Sequence, residues 1–291
     1  MRLQNPNTDL FVPDGSDLED ALAKTTHLCV GAHPDDIEIM AISAIAACRE
    51  RDDLAFTGVC ATSGGRSPRS GRYASHDNNE MERARRKEQR AAACAGGYGA
   101  MLQLGHESLD LQQARLAPLV DDLEAVLRAT RPACIYTHNP ADKHPTHVAT
   151  AVAAVEAVRR VSHELALETF VGCEVWRSLD WLNEELRIQL DSTGHDELAR
   201  SLLAIFDSQI SGGKRYDLAA LGRRRANATY ARPRETDASE QITFAMDLMP
   251  LAAPGSDTAG YVNGLIERLQ VDVLATLQPF LAARPGDDET I

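Results

Sequence analysis

Over the first 160 residues, short apolar runs alternate with longer amphipathic stretches, and this alternation limits the fold more than any other feature. "HLCVGA" (27–32), "LAFTGVCAT" (54–62), "AMLQLG" (100–105) and "ACIYTH" (133–138) have the length and composition of buried strands. Between them, "EIMAISAIAACRERDD" (38–53), "NEMERARRKEQRAAACAGG" (79–97), "LAPLVDDLEAVLRATRP" (116–132) and "HVATAVAAVEAVRRV" (147–161) predict helices. The second closes on Gly-Gly and the third stops before Pro132. Strands alternating with helices predict an α/β fold, in which right-handed crossovers build a parallel sheet covered on both faces. Residues 1–26 read as a polar leader with a short helix near "DLEDALAKT", and 27–165 as the core. Beyond 165 the pattern loosens. "TFVGCEVW" and "QITFAMDLMPLA" suggest strands and 258–282 a helix, so 166–291 reads as an α+β region of the same domain that shapes a pocket.

A chain of 291 residues can bury about three quarters of its unfolded surface and needs no disulfide or structural metal to fold. Its net charge of −13 repels phosphate backbones and anionic lipid, which argues against nucleic acid and membrane as partners. The start "MRLQNPNTDLF" lacks the basic and apolar segments of a signal peptide, and no window has the length of a membrane span. Six cysteines occur without a C-x-x-C pair, mostly in apolar runs where thiols act as small hydrophobes. These features lead us to expect a reduced, cytoplasmic protein; homo-oligomerisation is left open.

Ligands of parallel sheets bind beyond the carboxyl ends of the strands. Two charged clusters fall at such ends. "HPDDIE" (33–38) follows the first strand, and "HNPADKHPTH" (138–147) follows the fourth. His33 and Asp36 flank a turn stiffened by Pro34, and His144 and His147 are three apart near a helix start, so each pair can share a direction. Imidazole and carboxylate donors suit zinc, and iron(II) fits the same set. Asp35, beside Asp36, is placed to act as a general base. Each piece alone has an ordinary explanation, because acids after a strand often cap a helix and an isolated H-x-x-H is weak. Their occurrence together at two strand ends favours a metal site.

"AHPDDIE" followed by "HNPADKHPTH" resembles the LmbE-like, or PIG-L, de-N-acetylase family, over roughly residues 27–160. The resemblance implies a Rossmann-like core and metal-dependent hydrolysis of an N-acyl group, usually acetyl on an amino sugar. It assigns His33, Asp36 and His147 to the metal, Asp35 to general base and then acid, and His144 to the oxyanion or leaving amine. The partner would be a small N-acetylated molecule. Two departures stand out. Thr146 occupies the place of the usual Asp in the second motif, and Ala141-Asp142-Lys143 replaces an upstream Tyr found in some members. Asp142 matches members with D-x-H, where it would orient His144.

Other candidate substrate contacts are Arg66 and Arg72 in the loop after the second strand, Arg85 on the 79–97 helix, Asp110 after the third strand, Asp142, and Gln209 in "FDSQISGGKRYD". Arg69 and Tyr73 share the first loop. Arg223, Arg224 and Arg225 form a basic cluster that either recognises an anion or pairs internally, with internal pairing favoured. The Gly-Gly pairs lack G-x-G-x-x-G or P-loop form, so no nucleotide cofactor is expected. A metal-dependent phosphoesterase and a non-catalytic metal- or sugar-binding module are the competing readings. The second is disfavoured because a binding module needs no base.

Overall fold

The four apolar runs of the N-terminal half lie side by side in one sheet, as their pattern requires. The computed structural model describes residues 1–282. In chain order these form β1 (Asp9–Phe11), α1 (Leu18–Ala23), β2 (His27–Gly31), α2 (Asp36–Met40), α3 (Ile42–Glu50), β3 (Phe56–Thr62), α4 (Asn78–Gly96), β4 (Ala100–His106), α5 (Ser108–Gln112) and α6 (Ala117–Thr130). There follow β5 (Cys134–His138), α7 (Pro145–Val161), β6 (Thr169–Cys173), β7 (Arg187–Asp191), α8 (Asp196–Ala204), α9 (Asp207–Ile210), α10 (Tyr216–Tyr230), β8 (Ile242–Asp247) and α11 (Thr258–Ala282).

The sheet has eight strands in the order β1-β4-β3-β2-β5-β6-β8-β7. From β4 to β6 all neighbours are parallel, which is the α/β core expected from the alternation. At both edges the sheet turns antiparallel. β1 lies antiparallel on β4, and β8 lies antiparallel between β6 and β7. β1 comes from the segment read as a polar leader. Three residues are too few to show a period, and β1 is fixed by long-range bonds: the Asp9 carboxylate accepts from Arg90 Nε at 2.8 Å and Gln103 Nε2 at 3.0 Å. The predicted helix 38–53 is two helices, because Ala41 leaves the helical conformation at φ −115°, ψ 25°. The run Ile39-Met40-Ala41-Ile42 is apolar throughout, so the pattern carries no mark of the break.

Helices cover both faces. Leu22 of α1, Leu123 and Val126 of α6 and Val155 and Val158 of α7 are buried on one side. Ile37 of α2, Ile45 of α3 and Leu202 of α8 are buried on the other. α4 starts on a capping box formed by Asp77 and Glu80, and α7 starts with Pro145 in its first turn, where a missing N–H costs nothing. The last turns of α11 expose Val271, Leu274, Leu277, Phe280 and Leu281. No described helix is long and apolar enough to cross a membrane.

The chain leaves β2 toward β3 and β4 on one side and returns through β5 to build the other side. β2 and β5 are therefore neighbours at the switch point, and the segments after them, 33–38 and 138–147, face each other. Gly172 on β6 keeps the second segment close: a Cβ there would sit 2.8 Å from Asn139 Cα, which is backbone and cannot swing away. We expect Gly172→Ala to destabilise the fold by about 1–3 kcal/mol, measured by chemical unfolding; an unchanged midpoint would show that the approach of β6 to the 139–144 segment is looser than this geometry requires.

Candidate active site

Asp36 is the meeting point of the two segments. Its Oδ2 accepts the His33 backbone N–H at 2.7 Å and lies 3.2 Å from His33 Nδ1, 3.3 Å from His138 Nε2 and 3.5 Å from His147 Nε2. The turn that achieves this puts Asp35 at φ 94°, a left-handed conformation that is uncommon outside glycine and best tolerated by Asp and Asn. Gln89 Oε1 supports it by accepting the Asp35 N–H at 3.2 Å.

His147 is oriented from behind. Its Nδ1 lies 3.0 Å from Asp142 Oδ2, and a carboxylate at that atom fixes Nδ1 as the protonated nitrogen. Asp142 is itself held by the backbone N–H groups of Trp176 at 3.3 Å and Arg177 at 2.8 Å. The Nε2 lone pair of His147 therefore points toward Asp36 Oδ2 and, at 3.3 Å, toward His33 Nδ1. Atoms that converge in this way need either a shared proton or a cation between them. His33, Asp36 and His147 each bring a ligand atom within 4.8 Å of the others, a donor set that fits a divalent ion. A second group with that property, His138, Asp142 and His147, draws on the same imidazole. His138 Nε2 already accepts the Ala32 N–H at 2.9 Å, which leaves the first set as the better one.

Burial sets the protonation of these groups. It pushes His33 down, and together with His147 it pushes His138 down to about 4. His144 is also pushed to about 4, by burial and by His147 and His33. Neutral imidazoles are the form that binds metal. Burial raises the Asp35 carboxyl well above its usual range, against the opposing charge of Arg85. Burial acts the same way on Asp36, but His147 and His138 outweigh it and hold that carboxyl well below the ordinary range. Two adjacent acids thus differ in character, one suited to binding a cation and one to exchanging a proton.

Asp35 Oδ2 is buried and has no hydrogen-bond partner among the described residues. The Arg85 guanidinium, 1% exposed, lies 4.0 Å away and donates to the carbonyls of Gly64 and Pro34, each at 3.1 Å. Gly64 is required there: its φ is +68°, and a Cβ would come within 2.5 Å of Arg85 Nη1.

These groups open onto a cavity of about 300 Å³. Of the residues singled out in the sequence, His33, Asp35, Asp36, Arg66, Arg85, His144, His147 and Gln209 line it. Three expected contacts are corrected. Arg72 does not line the cavity; it is bound to Asp207, as is the Tyr73 hydroxyl at 2.8 Å, and ties its loop to α9. Asp110 pairs with Arg115 at 2.8 Å outside the cavity. Asp142 is buried with both oxygens engaged internally, and it orients His147, whereas the expectation was His144. Arg69 is likewise spent on Gly65 O and Asn78.

The cavity also holds residues the sequence did not reveal. Trp176 and Val175 follow β6, and Tyr216 opens α10. Thr146, in the place of the usual acid, is fully buried and its Oγ1 accepts from Gln112 Nε2 at 2.9 Å, so α5 is tied to the second motif. Glu38 is buried away from the cavity. Its Oε1 accepts from Tyr98 at 2.7 Å and Gln89 at 2.8 Å, and burial pushes it up to about 7. That role braces α2 and was not visible in the local pattern.

The family model of the GlcNAc-PI de-N-acetylases, PIG-L, matches residues 28–158. No curated protein matches the chain. Similar solved structures include the 4-carboxy-2-hydroxymuconate hydratase GalB from Pseudomonas putida, 18% identical with a TM-score of 0.57, covering 78% of this chain and 97% of that one. A conserved protein from Thermus thermophilus is 20% identical with a TM-score of 0.58 (80% and 99% covered). The N,N'-diacetylchitobiose deacetylase from Pyrococcus horikoshii is 19% identical with a TM-score of 0.55 (80% and 88% covered). At these identities the likeness is one of fold.

The Asp142–His147 pair gives a test of the cation site that needs no substrate. Asp142→Asn keeps the shape and removes the charge that sets the imidazole's tautomer. We expect zinc affinity, measured by calorimetry, to fall about 10- to 100-fold. Equal affinity of variant and parent would remove His147 Nε2 from the ligand set.

Proposed function

We propose, from the match of residues 28–158 to the PIG-L family model and from the site geometry, that this chain is a metal-dependent amidohydrolase that removes an N-acetyl group from an amino sugar or a related small molecule. The observation that carries the reading is the convergence of His33, Asp36 and His147 beside an unpartnered, buried Asp35 carboxyl. Those three residues would hold zinc, with iron(II) fitting the same donors, and the ion would supply acidified water and a Lewis acid for the amide carbonyl.

The chain's own residues supply the rest. Asp35 lines the cavity, and burial, which raises its carboxyl well above the usual range, makes it a stronger proton acceptor than an exposed aspartate. It takes that proton from the attacking water and returns it to the amine nitrogen as the C–N bond breaks. Arg85 holds the Asp35 turn through the carbonyls on both sides of it, Pro34 and Gly64. His144 and the Tyr216 phenol face the same space and are the donors available to the oxyanion that forms on the acetyl oxygen. Tyr216 fills the need left by the missing upstream Tyr, from a different part of the chain. Arg66 and Gln209 remain for the sugar hydroxyls.

The fold alone does not choose the reaction, since a hydratase shares it. A phosphoesterase with two ions is disfavoured, because both metal-capable groups among the described residues depend on His147.

Asp35→Asn tests the base while keeping the left-handed turn, which Asn also tolerates. We expect acetate release from N-acetylated sugars to fall by about 10²–10⁴ with metal content unchanged, whereas His33→Ala loses both. An Asp35→Asn enzyme as active as the parent would falsify the assignment. For His144→Ala we expect kcat to drop about 10²-fold with little change in KM; a change confined to KM would make His144 a binding residue only.

A further inference from the structure

A second cavity of about 230 Å³ adjoins the first and shares Ile39, Val175, Trp176 and Tyr216 with it. α10 forms one wall through Tyr216, Ala219, Ala220, Arg223 and Arg224, the spacing of a single helix face. Most of this wall is apolar, yet it ends in charge. Arg224 is 2% exposed and forms no ion pair among the described residues. Its Nη2 donates to the carbonyls of Glu38 and Ile39, each at 2.8 Å, but its Nη1 has no partner. Thr243 of β8, 3% exposed, lines the same cavity, and its Oγ1 is also unpartnered. The acid that lines this space, Glu174, is already occupied: its oxygens accept from Asn227, from the Phe244 N–H at 3.1 Å and from the Leu179 N–H at 3.0 Å. Of the neighbouring arginines, Arg225 pairs with Asp196 at 2.8 Å and Arg223 donates to Val175 O, so all three are engaged internally, and of the three Arg224 is the one with a buried N–H group left over among the described residues.

A half-satisfied guanidinium and an unpartnered hydroxyl, both buried and both on residues lining this cavity, are costly to the free protein, and a ligand that accepts from both would relieve the cost. We propose that this cavity is a subsite for a carboxylate of the substrate, held by Arg224 and Thr243 and set back from the scissile amide by a short apolar segment lying along Ile39 and Ala220. The guanidinium matches a planar carboxylate, and the apolar walls accept methylene groups. The identity of the bond broken rests on the deacetylase reading; the subsite itself does not, because it is a matter of binding.

The test has a binding arm and a turnover arm. By calorimetry on the metal-loaded protein, succinate is expected to bind at least about tenfold tighter than neutral succinamide. Thr243→Val and Arg224→Lys should each weaken succinate about tenfold and leave succinamide unchanged. Valine is nearly isosteric and removes an unpartnered hydroxyl, so Thr243→Val should fold with an unchanged or higher Tm even where the arginine variant fails. Succinate binding no tighter than succinamide, or Thr243→Val binding succinate like the parent, overturns the proposal. In turnover, N-succinyl-glucosamine and an N-acetyl amino acid are compared with their methyl esters. Preference for the free acid in the first places the carboxylate in the acyl half, and in the second, in the amine half. Preference in neither overturns the substrate assignment. Absence of turnover on every amide, with succinate binding intact and sensitive to Thr243→Val, would leave the subsite standing and sink the deacetylase reading.

Discussion

The Asp36 carboxylate, placed within 3.5 Å of three imidazole nitrogens, is the interaction on which the rest of the molecule depends. A negative oxygen in that position cannot be accommodated by packing alone; it needs either shared protons or a cation. The fold supplies the geometry. β2 and β5 are parallel neighbours at the point where the chain reverses its direction of travel across the sheet, so the turns after them are brought together although they are about a hundred residues apart in sequence. Asp142 then removes the ambiguity of the His147 ring, and the Trp176 and Arg177 amides remove the ambiguity of Asp142.

Around this centre the protein buries an unusual amount of charge on and beside one short helix. Asp35, Asp36, Glu38, Arg85 and Arg224 are each 3% exposed or less. They are not five independent costs. Arg85 faces Asp35 and clamps the turn; Gln89 links the Asp35 N–H to the Glu38 carboxyl; Tyr98 closes the Glu38 side; Arg224 covers the carbonyls of Glu38 and Ile39. A network of this kind holds α2 in one place, and with it the Asp35–Asp36 turn, at the expense of stability that an apolar core would have supplied. It leaves Asp35 Oδ2, Glu38 Oε2, Arg85 Nε and Arg224 Nη1 without partners among the described residues; Asp35, Arg85 and Arg224 line the two adjoining cavities.

Much of this was legible in the chain. The strand–helix alternation located four of the five parallel strands within a residue or two, and charge at the ends of the first and fourth pointed to the site. What stayed hidden has a common cause. β1 has three residues, too few to show a period, and β7 alternates polar and apolar residues over only five; both are placed by partners distant in sequence. The break at Ala41 falls inside an apolar run. Arg85 was singled out on a helix so rich in charge that a solvated face is the ordinary reading for most of it; its full burial against the Asp35 turn is what only the structure shows. Arg224 lies between Arg223 and Arg225, which bond Val175 O and Asp196, and nothing in the run of three marks it as the buried one. Tyr216 and Trp176 come from a region whose pattern is loose, and they enter the cavity because α10 and the segment after β6 fold over the carboxyl edge of the sheet.

X-ray absorption of the zinc-loaded protein reads the donors of the ion without a substrate. A site made by His33, Asp36 and His147 gives one ion per chain with a first shell of nitrogen and oxygen only, showing the scattering of two imidazoles and a carboxylate, and losing one imidazole in His147→Ala while keeping its signature in His138→Ala. Sulfur in the shell, or a spectrum that changes in His138→Ala and not in His147→Ala, would contradict it.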